Sequence, residues 1–243
     1  MPSSRRDDAP IFVVGAARSG TTFLAESLGR HPAIAHFPRE ADFIPFFFEW
    51  MESGPDLEPQ EKARLGRDFL GGWLGAFLEK TGKSRVLEKT PPNLYAMNWL
   101  LACFPRSQIV HIYRDPRAVV ASVIEALGKM NQRSAPAAAR LWRDMVEVAL
   151  AKEAAAAGGR CTSVRYEALV ADPVSEFGRV LAFLGESVDP IAGHVRTRTD
   201  RSRVNRWREI LSPQEIDEVE EICSDLMSRL GYAPSSREAS PSR

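Results

Sequence analysis

The sequence predicts an α/β fold built on a parallel sheet, and three observations carry that expectation. Ile11-Phe12-Val13-Val14 and Gln108-Ile109-Val110-His111-Ile112-Tyr113 are short, continuous apolar runs of the kind that form strands buried on both faces. Each run is followed directly by a helix signal. Weaker strand patterns alternate with helical stretches along the rest of the chain, which is the order that places strands side by side in parallel. With 243 residues, of which 44% are hydrophobic, there is enough apolar material for one large core.

The first run ends at Gly15, and a helix is expected from Thr21 to Gly29. A helix over Glu40–Met51 is the next candidate, and Leu57 to Lys80 reads as helical. Arg85-Val86-Leu87-Glu88 is a strand candidate closed by Thr90-Pro91, because a proline restricts the residue before it and cannot donate to a ladder. A helix is expected over Pro92 to Phe104. After the Gln108–Tyr113 run, Asp115-Pro116 supplies an N-cap followed by proline at the first helical position, with the helix continuing to about Leu127. Ala135 to Ala157 is rich in helix formers. Thr162-Ser163-Val164-Arg165-Tyr166 is the last strand candidate, followed by a helix over Pro173 to Leu184. Ser212-Pro213-Gln214-Glu215 opens the last helix with an N-cap and a capping-box glutamate, and Gly231 is placed to end it. No internal repeat is visible, so one domain over 1–243 is expected, with 1–8 and 235–243 as flexible polar tails.

Composition excludes several classes of protein. Thirty-two Lys+Arg balance thirty-two Asp+Glu, so there is no whole-molecule field to draw in nucleic acid or an anionic membrane surface, and any anion must be bound locally. The apolar stretch behind Arg5 and Arg6 is too short for a signal sequence or a membrane span. Cys103, Cys161 and Cys223 are an odd number without close spacing, the pattern of reduced thiols, so a cytoplasmic protein is expected.

The loop between the first strand and the first helix carries the chemistry. In Gly15-Ala16-Ala17-Arg18-Ser19-Gly20-Thr21-Thr22 the two glycines have the spacing of a phosphate-cradling loop, where backbone N–H groups and a helix N-terminus face an anion. Thr21 stands where an NTPase has its lysine, which argues against phosphoryl transfer. Arg18 instead offers a forked and permanently charged donor. A second candidate anion site is Tyr113-Arg114-Asp115-Pro116-Arg117, with Ser122 eight residues beyond Arg114. Ligands of open α/β sheets bind at the carboxyl ends of the strands, so Arg114 is expected in the same crevice as the loop, unless it is consumed by Asp115 or another acid. Two anion sites in one crevice suit a doubly phosphorylated ligand.

These residues resemble the sulfotransferase superfamily, in its bacterial and tyrosylprotein-type branches. The resemblance rests on Gly15 to Thr22 and on Ile109 to Ser122, which are similar to that family's 5′-phosphosulfate and 3′-phosphate motifs. Leu87-Glu88-Lys89-Thr90-Pro91, Val164 to Leu169 and the stretch from Arg206-Trp207-Arg208 to Gly231-Tyr232 add to it. It implies a P-loop-like three-layer fold, with a central parallel sheet flanked by helices. It also implies transfer of a sulfuryl group from 3′-phosphoadenosine 5′-phosphosulfate (PAPS) to a hydroxyl or amine acceptor, without a metal. A P-loop kinase or nucleotidase, or a non-catalytic nucleotide-binding module on the same fold, is the alternative.

The resemblance also implies roles. Ala17, Arg18, Ser19, Gly20, Thr21 and Thr22 would hold the 5′ end of the donor, and Arg114 and Ser122 the 3′-phosphate. Tyr166 would contact the adenine, with Arg203 and Arg206 closing over the phosphates from the cluster Arg196, Arg198, Arg201, Arg203, Arg206 and Arg208. Lys89 would contact the leaving oxygen, and Arg18 would assist it. Glu40 would be the general base, with His36 and Asp42 as neighbouring candidates. His111 lies inside a strand and reads as a core histidine. The aromatic segment Phe43 to Met51 either walls an apolar acceptor pocket or is core. A small-molecule, lipid, sugar or peptide acceptor is open, whereas neither nucleic acid nor stable membrane insertion is expected.

Overall fold

The computed structural model of the chain describes residues 9–54, 56–127 and 134–235. The expected tails at 1–8 and from 236 onward lie outside the described residues.

Five strands form one parallel sheet in the order β2-β3-β1-β4-β5. They are β1 (Ile11–Val14), β2 (Ile34–His36), β3 (Arg85–Lys89), β4 (Gln108–Tyr113) and β5 (Cys161–Arg165). The central strand β1 pairs with β3 through Ile11↔Leu87, Phe12↔Glu88 and Val13↔Lys89, and with β4 through Ile11↔Gln108 to Val14↔His111. Because successive side chains point to opposite faces, β1 serves two cores at once. Phe12 and Val14 pack into one apolar cluster, and Ile11 and Val13 into the other.

The helices cover both faces. The Ile11/Val13 face is covered by α1 (Thr21–Leu28), α7 (Tyr166–Ala171), α8 (Pro173–Leu184) and α9 (Ala192–Arg198). The Phe12/Val14 face is covered by α2 (Phe43–Ser53), α3 (Pro59–Thr81), α4 (Met97–Cys103), α5 (Pro116–Leu127), α6 (Ala135–Ala155), α11 (Trp207–Ile210) and α12 (Pro213–Arg229). A short α10 (Ser202–Asn205) joins α9 to α11. The result is the three-layer α/β fold that the sequence predicts.

Local chemistry explains where the helices begin. Ser212 accepts the Glu215 N–H while Glu215 bonds back to the Ser212 N–H, closing the expected capping box of α12. At the start of α5, Asp115 Oδ1 accepts the Arg117 N–H at 2.8 Å, satisfying one of the free donors of the first turn.

Four expectations need correction. Pro92 to Phe104 is not one helix: a 3₁₀ turn over Pro91–Ala96 precedes α4, since the paired prolines supply no N–H donors there. The strand β3 extends to include Lys89, and Tyr166 opens α7 instead of ending β5. The helix expected from Glu40 begins at Phe43, because the Ala41 N–H is engaged by the Thr90 hydroxyl at 2.7 Å. Finally, β2 was not anticipated, since three residues are too few to show a period.

Candidate active site

The topology brings the two anion-binding elements together. The chain leaves β1 toward β2 and β3 on one side, while β4 flanks β1 on the other. A crevice therefore opens beyond the carboxyl ends of β1 and β4. It holds a cavity of about 610 Å³, lined among others by Arg18, Thr22, Glu40, Arg114, Tyr166 and Arg203.

Gly15 is required by close approach: a Cβ there would lie 2.2 Å from the backbone oxygen of Ile112 on β4. That contact seats the loop against the neighbouring strand. Gly20, at φ 99°, caps α1 in the left-handed region, and a Cβ there would strike the Tyr166 ring at 2.5 Å. Arg18 at φ 70° has the one positive φ outside glycine among the described residues. Such strain persists where the surroundings enforce it and clusters at functional loops. Ala17, Arg18, Gly20, Thr21 and Thr22 all line the cavity, whereas Ser19 is fully buried beneath the loop with no partner for its hydroxyl among the described residues.

Arg114 crosses the floor of the crevice. Its Nη1 donates to the Arg18 carbonyl at 3.3 Å and its Nη2 to the Arg203 carbonyl at 2.6 Å. The guanidinium lies over the Tyr166 ring, 4.4 Å from its centroid. Its own carbonyl accepts the Trp142 indole N–H at 3.0 Å, which ties the residue to α6. Asp115 does not pair with it, because Arg117 takes both oxygens of that carboxylate. Arg114 is 8% exposed and its Nε has no partner among the described residues. Burial disfavours its charged form, and its neighbours offset this only in part. A buried cation bonded to carbonyls alone has its charge uncompensated by any hydrogen-bonded carboxylate among the described residues.

The two motifs are joined directly, since Arg18 Nε donates to Ser122 Oγ at 3.0 Å. Tyr166 is buried, sandwiched between the Arg114 guanidinium and Gly20, with Phe23 edge-on at 6.4 Å. Arg203 lines the cavity but is ion-paired to Asp200 at 3.0 Å. Arg206 does not line it; it faces outward and pairs with Glu125 at 2.6 Å.

Glu40 lines the crevice at one edge, and Lys89, which is not part of the cavity lining, pairs with it there as ammonium with carboxylate. Lys89 is almost wholly buried, and Glu40 is about two-fifths exposed. The other base candidates are placed differently. His36 ends β2 with a buried Nε2 that has no partner among the described residues and lines a second cavity of about 540 Å³, and burial lowers its pKa. Asp42 is exposed at the N-terminus of α2. His111 is fully buried with Nδ1 3.3 Å from Ser163 Oγ, as a core histidine should be. The aromatic segment does not line this cavity and is only partly core. Ile44 and Met51 are buried, while Phe46 and Trp50 are largely exposed and lie off the cavity lining.

Sequence reasoning missed Glu26 and Asp200, which line the cavity and pair with Arg198 and Arg203. No spacing signals these acids, since their partners are remote or lie in a crowded basic stretch. It also missed the depth at which Glu88 is buried.

A parallel α/β sheet with a glycine loop and a buried arginine at its switch point has the architecture of proteins that take a ligand at the carboxyl ends of their strands. A family model described as the sulfotransferase family matches residues 10–190, and the chain belongs to that family as an enzyme of sulfuryl transfer. It is 27% identical to the nodulation protein NoeE of Sinorhizobium fredii over 96% of this chain and 69% of that protein. It is 26% identical to a protein-tyrosine sulfotransferase of Drosophila melanogaster over 75% of this chain, spanning only 39% of that relative. The fold is shared with mouse sulfotransferase SULT7A1, solved in complex with PAP, at a TM-score of 0.57 and 16% identity over 96% of this chain and 89% of that one. Among the described residues no helix is long and apolar enough to cross a membrane, and no three His, Cys, Asp or Glu side chains are grouped as metal ligands would be.

Proposed function

We propose that the crevice binds PAPS and that Lys89 and Glu40 carry the transfer of its sulfuryl group to a hydroxyl or amine. The observation that carries this reading is Arg114: a desolvated cation, bonded only to carbonyls, in a cavity that also contains the Gly15–Thr22 loop. The residues fit a ligand with two separated anionic groups. The loop and the first turn of α1 would hold the 5′ end, Arg114 and Ser122 the 3′-phosphate, and Tyr166 would pack on the base. Arg18, bonded to Ser122, is placed to touch either end, with Arg203 as the outer basic residue, whereas Arg206, turned away to Glu125, would have to leave that pair to reach the donor.

In the reaction the acceptor oxygen bonds to sulfur as the bond from sulfur to the phosphate oxygen breaks. Glu40 takes the acceptor's proton, and Lys89 donates a hydrogen bond to the departing oxygen as its charge grows. Their pairing brings a carboxylate and an ammonium side by side at the edge of the crevice. Acceptors of small-molecule, lipid, sugar or peptide type fit this chemistry. The three unpaired thiols fit a cytoplasmic setting.

Calorimetry with 3′-phosphoadenosine 5′-phosphate (PAP) in EDTA tests the reading. Metal-free binding tighter than that of ATP supports it. A strict Mg²⁺ requirement, or equal or tighter ATP binding, refutes it in favour of a nucleotidase or kinase. A panel of hydroxyl and amine acceptors with labelled donor then identifies the acceptor class.

A further inference from the structure

Glu88 has no part in the chemistry above, yet its carboxylate is wholly buried one residue before Lys89. Neighbours on a strand point to opposite faces, so Glu88 enters the helix-covered layer on the Phe12 side while Lys89 turns away from it. Its two oxygens are both used. One accepts the Thr90 hydroxyl at 2.5 Å, and the other accepts Asn93 Nδ2 at 2.7 Å. The Thr90 oxygen in turn accepts the backbone N–H of Ala41, the residue that follows Glu40, at 2.7 Å.

This chain of bonds joins β3 and the 3₁₀ turn that directly follows it to the loop before α2, which lies 49 residues earlier in the chain. All four participants are dry, with Glu88, Thr90 and Asn93 at 0% and Ala41 at 2% exposure. The Glu40–Lys89 pair above them is partly open to solvent, and pairs of that kind contribute little to holding two loops in register. Buried, satisfied hydrogen bonds do so far better, since breaking one strands its partners. Thr90 is the closer link, because a single hydroxyl both donates to Glu88 and accepts from Ala41, whose N–H also faces the Glu88 carboxylate.

We propose that Glu88, Thr90 and Asn93 are positioning residues for the transfer reaction, setting through the Ala41 N–H where the Glu40 carboxylate stands relative to the Lys89 ammonium. The proposal rests on the reading of Glu40 and Lys89 as the reacting pair, and the test separates the two.

Thr90→Val keeps the side-chain shape and removes the link, while Thr90→Ser keeps the link. PAPS turnover is followed as PAP released in the presence of a mixed panel of phenol, sugar and peptide hydroxyls, alongside PAP affinity by calorimetry. Thr90→Val is expected to lower kcat about 30-fold with donor KM and PAP affinity within twofold, and Thr90→Ser to stay within about threefold of the parent. Glu88→Gln should also stay within about fivefold. Its amide oxygen can still accept from Thr90, and its NH₂ can meet Asn93 Oδ1, which has no partner among the described residues, once that amide turns over. Full activity in Thr90→Val overturns the proposal, as does an equal loss of kcat and PAP affinity, which marks general loosening. Loss of turnover in Glu88→Gln overturns it too, since the charge would then matter and not the geometry. Glu40→Gln and Lys89→Ala run in parallel: if they leave kcat intact, the reacting pair is misassigned, whereas if they lower it and Thr90→Val does not, only the positioning fails.

Discussion

Replacing Arg114 with alanine removes a buried cation of the crevice that hydrogen-bonds to no carboxylate among the described residues. Two of its donors already serve the Arg18 and Arg203 carbonyls, and the face of its guanidinium lies on Tyr166. Truncation therefore has two consequences: it strands those carbonyls and unsupports the ring, and it deletes the charge that would meet a 3′-phosphate. The first affects any adenosine nucleotide, the second only one that carries the phosphate. A hydrogen bond to a charged group contributes about 1.5–3 kcal/mol, so the 3′-specific loss is about 10- to 150-fold in Kd. Calorimetry of parent and Arg114→Ala with PAP and with adenosine 5′-phosphosulfate, which lacks the 3′-phosphate, isolates that component as the ratio of the two losses. A ratio near one would show that Arg114 shapes the pocket without reading the phosphate. Arg114→Lys should recover part of the charge effect and none of the forked geometry, and so fall between the two.

Lys89→Ala should lower kcat more than it raises donor KM, because charge on the leaving oxygen develops only as the bond breaks; a normal kcat with raised KM refutes the assignment. Glu40→Gln should leave PAP affinity intact and reduce turnover about 100-fold or more, and near-normal turnover, with loss in His36→Ala or Asp42→Asn, moves the base to that neighbour. Gly15→Ala should destabilise the fold by at least about 2 kcal/mol in chemical denaturation, since the new Cβ would lie 2.2 Å from the Ile112 oxygen and the loop cannot retreat from β4; parental stability refutes the close approach. Burial carries Glu88 up to about 7 from 4.5 in the unfolded chain, so the folded protein retains a proton that the unfolded one releases across that window. Stability should fall as pH rises from 4.5 to 7, by up to about 3 kcal/mol, and Glu88→Gln should abolish that part of the slope; an unchanged slope in the variant refutes it.

Much of this protein is legible in its sequence because local chemistry suffices. Apolar runs at Ile11–Val14 and Gln108–Tyr113 can only be inner strands, Asp115-Pro116 and Ser212-Pro213 start helices by satisfying their own first turns, and the glycine spacing around Arg18 announces an anion loop. Arg114 could be singled out because it follows a strand end, where a parallel sheet gathers its site, and Lys89 and Tyr166 because the motifs that hold them resemble those of the family. What the sequence could not express is which distant groups meet. That Arg114 spans the carbonyls of Arg18 and Arg203, that Arg206 turns outward to Glu125, and that Glu40 is held against Lys89 all depend on contacts across dozens of residues. Glu88 shows the reason most plainly. A carboxylate within a strand pattern reads as solvent-facing, and only the packing of the 3₁₀ turn and the loop before α2 over β3 makes it dry, bonded and coupled to the site. Burial is a property of the assembled layers and not of the residue, so the four longer strands and the glycine loop were readable from the chain, while the short edge strand β2 and the electrostatics of the crevice were decided by its tertiary structure.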